Sequence, residues 1–234
     1  MTPTPIKEFQ DTLWKAADKL RGSMDSSQYK DIVLGLVFLK YVTDAFDARR
    51  LKLLAELEEE GATAEEIAEE LEDRDAYLEK NVFWFAKEAR WDYLQRHSKG
   101  KTDDAGGEFK SSGKLIDEAA EALMADNLSL EGTLPHNYNS DSVDQRRLGE
   151  LVDLFSATRF TAEGPERARD LLGEVYEYFL ARFASAEGKR GGEFYTPRSV
   201  VRALVEVLEP TEGRVYEAFN PTWIQNGGTV ALAA

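Results

Sequence analysis

The sequence has no cysteine among its 234 residues. That excludes a disulfide framework, a thiolate metal site and a cysteine nucleophile, and it favours a reducing, cytoplasmic setting. Histidine is nearly as scarce. His97 and His136 are far apart in the chain, and neither has a second histidine or a carboxylate at ligand spacing, so no zinc site is expected. No apolar run approaches the ~20 residues that span a bilayer. The opening "MTPTPIKEFQ" lacks the basic-then-apolar order of a secretory signal, and no membrane partner is expected. Positive charge is in deficit, with 29 Lys and Arg against 44 Asp and Glu and a net charge of −15. That balance argues against a protein that wraps bare DNA unaided.

The deficit is concentrated. Residues 55–79 hold twelve acidic side chains and one arginine, so this stretch carries −11 of the total. The ordinary reading of such a run is a solvated helix face. Local basic clusters remain elsewhere: Lys87, Arg90, Arg96, Lys99 and Lys101, then Lys189, Arg190, Arg198 and Arg202. The first group is a candidate face toward a DNA-containing assembly, with simple solubility as the competing explanation.

What is present is mostly helical pattern, in a chain that is 42% hydrophobic and 31% charged. "IKEFQDTLWKAADKLRG" spaces Ile6, Phe9, Leu13, Ala16, Ala17 and Leu20 for one helix, with Gly22 as its stop. Asp25 or Ser26 can cap the next helix. Its first half, Ile32 to Leu39, is apolar almost all round, which predicts a central helix enclosed by others. Thr63 and Glu66 have capping-box spacing. "NVFWFAKEARWDYLQ" is rich in aromatics, and core packing is the common use of such rings. Trp91 is expected to be buried. "SKGKTDDAGGEFKSSGK" reads as a polar loop and "LIDEAAEALMADN" as an amphipathic helix. "SVDQRRLGELVDLFSA" and "TAEGPERARDLLGEVYEYFLARFASAEG" resume the helical pattern. The last of these has Leu171, Leu172, Val175, Tyr178, Phe179 and Phe183 as its buried set. Through about residue 187 the chain is predicted to be helical, short strands near Phe83 being the one exception allowed for.

The pattern then changes. Gly191 and Gly192 free the loop before Phe194 and Tyr195. Thr196 and Pro197 suit a helix start. The helix predicted from Pro197 to about Leu208 would bury Val200, Val201, Leu204, Val205 and Leu208. Pro210 and Gly213 make a turn, and "RVYEAF" reads as a strand. From the residues alone, a cap followed by a turn explains this stretch better than a binding site does.

The chain resembles the N-terminal portion of the methyltransferase (modification) subunit of type I restriction-modification systems, a family of N6-adenine DNA methyltransferases. The likeness rests on "LWKAADKLRGSMDSSQYKDIVLGLVFLKYVTDAF", "FWFAKEARWDYL", "LLGEVYEYFLARFASAEGKRGGEFYTPRSVVRALVEVLEP" and "GRVY". It implies a mainly α fold: a helical domain over 1–158, then the truncated start of a Rossmann-like α/β domain. Residues 159–216 would be a connector and first elements, and 217–234 an atypical tail. It also implies that Glu193, Phe194, Tyr195, Thr196 and Pro197 line one wall of an S-adenosylmethionine pocket. The implied partners are a specificity subunit, a restriction subunit, a second methyltransferase subunit and double-stranded DNA.

After "GRVY" the family continues into a glycine-rich turn, D-P-x-x-G-S-G-G, which lets the backbone approach the cofactor. Here Glu217 and Ala218 stand in its first two places, and Gly227 and Gly228 come too late. Asn220-Pro221-Thr222-Trp223 imitates the catalytic N-P-P-[FY] motif without its second proline. The 234-residue chain by itself is therefore expected to be catalytically incompetent. The alternative is a stand-alone helical module that binds protein or DNA.

Overall fold

The computed structural model describes residues 6–20, 24, 26–102, 109–159 and 173–183, together with 200, 202, 203, 206 and 207. The described residues are mainly helical. They fall in two compact units, 1–176 and 177–234.

In the first unit, α1 (Ile6–Leu20) buries Phe9, Leu13, Ala16, Ala17 and Leu20 completely. These are the residues that the helical spacing marked. The side chain of Ile6, and Gly22 and Asp25, lie outside the described residues. The second helix, α2 (Ser26–Glu60), runs 35 residues, about 52 Å at the usual rise. Ile32, Val33, Leu36 and Val37 are fully buried, while Leu34 and Leu39 are 9% and 2% exposed. Phe38 alone in this run is half-buried. The all-round apolar pattern thus marks a helix with neighbours on every side. α2 ends at Gly61, whose φ of +78° suits glycine. The amides of Gly61 and Ala62 donate to the carbonyls of Glu58 and Leu57, a Schellman closure of the last turn.

Thr63 then caps α3 (Ala64–Glu70). Its hydroxyl accepts from the Glu66 amide, and the Glu66 carboxylate accepts from the Thr63 amide at 2.8 Å. This is the reciprocal box that the spacing predicts. A one-turn helix, α4 (Asp75–Leu78), follows. α5 (Trp91–Arg96) buries Trp91 and Leu94.

No strand forms near Phe83 among the described residues. The backbone of Trp84 is satisfied instead by one side chain. Its amide donates to Asn127 Oδ1 at 3.1 Å, and its carbonyl accepts from Asn127 Nδ2 at 3.0 Å. Asn127, 5% exposed, thus takes the place of a neighbouring strand. The strands lie in the stretch read as a loop. β1 (Lys101–Thr102) and β2 (Phe109–Lys110) pair antiparallel, Lys101 against Lys110 and Thr102 against Phe109.

α6 (Ser112–Asp126) begins three residues before its first predicted apolar position. The Ser111 hydroxyl caps it by accepting from the Lys114 amide. The Asp144 carboxylate caps α7 (Gln145–Ser156) by accepting from the amides of Arg146 and Arg147. α7 packs on α1, α2, α5 and α6. Lys19 and Glu150 form an ion pair at 2.6 Å, and Arg147 donates to the Lys19 carbonyl at 2.8 Å, which ties α7 to the end of α1.

Residues 173–183 are helical. Val175, Phe179 and Phe183 are buried, as the spacing predicts, and Tyr178 is half-buried. Leu171 and Leu172 lie outside the described residues. Within the second unit the rings of Phe179 and Phe183 are 6.4 Å apart, and Arg202 pairs with Glu206 at 3.0 Å. Val200, expected to be buried, is 46% exposed, and Val207, seven residues on, is 80% exposed. The other members of that predicted set, Val201, Leu204, Val205 and Leu208, lie outside the described residues.

Candidate functional site

The residues assigned by resemblance to the cofactor wall, Glu193, Phe194, Tyr195, Thr196 and Pro197, lie outside the described residues. So do the tail 217–234 and the basic residues Lys189, Arg190 and Arg198. What the structure does describe is the basic stretch before β1, the aromatic cluster under it and a cleft beside it.

Arg90 does not belong to a DNA-facing set. Its guanidinium donates to both carboxylate oxygens of Glu72, at 3.2 and 2.8 Å, and to the Phe85 carbonyl at 3.3 Å. It also lies 4.9 Å from the centre of the Phe46 ring and 5.7 Å from that of Trp84, the stacked use of arginine on aromatic faces. Beneath it Phe46, Tyr77, Trp84 and Phe85 pack with ring centres 4.6–5.8 Å apart. Arg50 holds the same Glu72 at 3.0 Å. Burial pushes the Glu72 carboxyl up, but Arg90 and Arg50 outweigh it and leave the group below its ordinary range. The network clamps the acidic segment to α2. Sequence reading missed it because it pairs residues 18 and 22 positions apart, and periodicity carries no such pairing.

The other four basic residues are nearer solvent. Lys87 and Lys99 are exposed. Arg96 is exposed and reaches back to Asp92 at 2.9 Å. The ammonium of Lys101 lies 5.7 Å from the Tyr93 ring.

Lys99 also lines a cleft of about 410 Å³ between the end of α5, the hairpin and the N-terminal turns of α6 and α7. Its walls include Phe109, Ser111, Ser112, Gln145, Arg146, Glu150 and Asp153. Two cations and two carboxylates cancel, so the cleft favours neither an anion nor a cation. Gly149 on its α7 side lets the helix approach closely, since a methyl group there would lie 2.1 Å from the Ser98 carbonyl oxygen.

A second polar cluster is interior. Lys40 and Asp44, each about 5% exposed at the side chain, form an ion pair one helical turn apart. Burial pushes the Lys40 ammonium down from its ordinary range, against the pull of Asp44. The Lys40 ammonium lies 5.8 Å from the Trp91 ring. Trp91 is 4% exposed, as expected, and donates its indole N–H to Ser156 Oγ at 2.8 Å. These groups link α2, α5 and α7. The aromatics of this region therefore serve the core.

A long interior helix with shorter helices packed around it, and a basic surface stretch beside an acidic one, define a helical domain. The comparisons with known proteins agree. The model of the HsdM N-terminal domain matches residues 9–155, and that of N-6 DNA Methylase matches residues 167–221. The chain belongs to the HsdM N-terminal domain family and corresponds to the N-terminal portion of the methylase subunit of type I restriction-modification systems.

It is 37% identical over 218 residues to the type I restriction enzyme MjaIX methylase subunit of Methanocaldococcus jannaschii, matching 90% of this chain and 37% of that one. It is 45% identical over 138 residues to the HindI methylase subunit of Haemophilus influenzae, matching 55% of this chain and 31% of that one. The chain thus spans about a third of the length of these relatives. The crystal structure of a type I methyltransferase subunit from Streptococcus thermophilus shares its fold, with a TM-score of 0.60 and 22% identity over 87% of this chain and 44% of that one.

Proposed function

We propose that this chain provides the helical domain, and the entry to the catalytic domain, of a DNA methyltransferase subunit. In full length such a subunit transfers a methyl group from S-adenosylmethionine to N6 of adenine in DNA. The observation that carries the reading is the order of the two family matches, a helical domain over 9–155 and then N-6 DNA Methylase over 167–221. The proposed division is 1–158 for the helical domain, 159–216 for the connector and the first elements of a Rossmann-like domain, and 217–234 for the tail. The proposed partners are a specificity subunit, a restriction subunit, a second methyltransferase subunit and double-stranded DNA. Lys87, Arg96, Lys99 and Lys101 are the candidates for facing that DNA.

Cofactor contact by Glu193, Phe194, Tyr195, Thr196 and Pro197 is proposed on resemblance alone. Methyl transfer to an amino nitrogen depends heavily on holding the reacting atoms in line. The 234-residue sequence carries neither D-P-x-x-G-S-G-G nor N-P-P-[FY], so the chain by itself is not expected to methylate DNA. The stand-alone interaction module remains the second reading.

Incubating the 234-residue chain with methyl-labelled S-adenosylmethionine and adenine-containing duplex DNA tests the reading. No label should reach the DNA. Transfer above background would refute the incompetence of the chain. Retarded migration of the DNA without transfer would favour the interaction module.

A further inference from the structure

The cleft between the end of α5, the hairpin and the first turns of α6 and α7 holds two hydroxyls that the protein leaves unused. Ser98 is 7% exposed and Ser112 is 4% exposed. Both line the cleft, and neither hydroxyl has a hydrogen-bond partner among the described residues. Every fully sealed side-chain oxygen and nitrogen among those residues does have one, so these two hydroxyls open on the cleft. A buried hydroxyl without a partner is costly. Polar groups that converge on one space without pairing mark a place for a ligand.

The lining charges cancel in sum but not in place. Glu150 lies between Lys19 at 2.6 Å and Arg146 at 3.5 Å, so its charge is taken up within the protein. Asp153 has no ion-pair partner among the described residues. It stands eight residues along α7 from Gln145, about 12 Å at the usual rise. At the Gln145 end, the Gln145 side-chain oxygen accepts from the Gly113 amide in the first turn of α6 at 2.7 Å. The cap of α6 is the neutral Ser111, so no capping carboxylate offsets the positive end of that helix, and Arg146 adds to it. α7 is capped by the Asp144 carboxylate, which offsets its own. One end of the cleft therefore suits an anion and the other suits a hydrogen-bond donor. Ser98 belongs to the middle, because its carbonyl lies against Gly149, halfway between Gln145 and Asp153.

Phe109 supplies a flat surface to the same space. Its ring is 59% exposed and is seated on Gly100, where a methyl group would lie 2.3 Å from Phe109 Cζ. An exposed ring held in this way is a platform for a planar group.

We infer that this cleft is a nucleotide site. The phosphate lies at the α6 end with Ser112 and Arg146, the sugar meets Ser98, the base stacks on Phe109, and an exocyclic amino group of the base donates to Asp153. The volume of about 410 Å³ falls within the ordinary size of a small-ligand pocket. An amino acid also carries an anion and an amine, but only a few bonds apart, too short to join the two ends. A free nucleotide and one nucleotide of a single strand present the same chemistry. The inference goes beyond the methyl transfer proposed above and does not depend on it.

Titration of the 234-residue chain, followed by nuclear magnetic resonance in the absence of S-adenosylmethionine, tests the site. The probes are deoxycytidine monophosphate and deoxyuridine monophosphate, which differ in an amino group against a carbonyl oxygen. The cytosine nucleotide should saturate one-to-one and bind about tenfold more tightly than the uracil one, the effect of one hydrogen bond to a carboxylate. Asp153→Asn, at an exposed position, should remove that preference. Phe109→Ala should weaken both nucleotides about tenfold, because stacking is blind to the amino group. No saturation by the cytosine nucleotide at millimolar concentration would overturn the site. So would equal binding of the two by the parent chain, or a preference that survives Asp153→Asn. With the site upheld, a cytosine pentanucleotide separates the sources: tighter binding than the monophosphate assigns the cleft to a single strand, and weaker binding assigns it to a free nucleotide.

Discussion

Trp91→Ala deletes a ring that is 4% exposed, and it leaves Ser156 without its indole donor. Loss of a large core aromatic costs about 3–5 kcal/mol, and chemical denaturation should show that drop. A midpoint near that of the parent would mean that the ring is not in the core. Asp47 makes an opposite and subtler prediction. Its side chain reaches the surface, yet crowding by protein and then repulsion by Asp44 push its carboxyl up to about 6. An acid held above its unfolded value binds more protons when folded. Its contribution to stability therefore falls as pH rises from 3.8 to about 6. Asp47→Asn should raise the thermal midpoint at pH 8, and the difference should fade by about pH 3. A constant difference at all pH values would show that ionisation of Asp47 is not the cause.

Among the elements, α3 offers the cleanest test, because none of its own residues is buried and its capping box is complete. Thr63→Ala should cost about 1 kcal/mol, read as faster amide exchange confined to residues 63–71. Exchange that stays at the parent rate would show that packing, not the cap, holds the helix. The elements also show what a sequence can disclose. α1, α2, α3, α6 and α7 were legible because apolar spacing and caps are local. Near Phe83 the strand allowed for does not form among the described residues, and the group that satisfies the Trp84 backbone was not legible. Asn127 lies 43 residues away and bonds through a side chain that no strand pattern contains. The hairpin at 101–110 was missed because its strands are two residues each, too short to show alternation. Of the candidate site, the aromatic residues and the basic stretch were legible as composition. That Arg90 turns inward to Glu72 and Phe46, away from the other basic side chains, depends on tertiary contact alone.

At the scale of the whole molecule, the acidic total and the basic stretch make opposite demands on a nucleic-acid partner. Charge reversal at Lys87, Arg96, Lys99 and Lys101 together should weaken DNA binding by a reconstituted methylase complex and lower its salt dependence. Unchanged binding at low salt would assign these residues to solubility only. The central claim is narrower. The 234-residue chain corresponds to the N-terminal portion of a methylase subunit, and under the proposed function it would hold at most one wall of a cofactor pocket. A small ligand needs most of its surface enclosed, and the family's glycine-rich turn is missing after Tyr216. Isothermal titration of the chain with S-adenosylmethionine tests this most directly. The account predicts no saturable heat at micromolar concentrations, whereas one-to-one micromolar binding would contradict it and would mean that residues from Glu217 onward help to build a pocket.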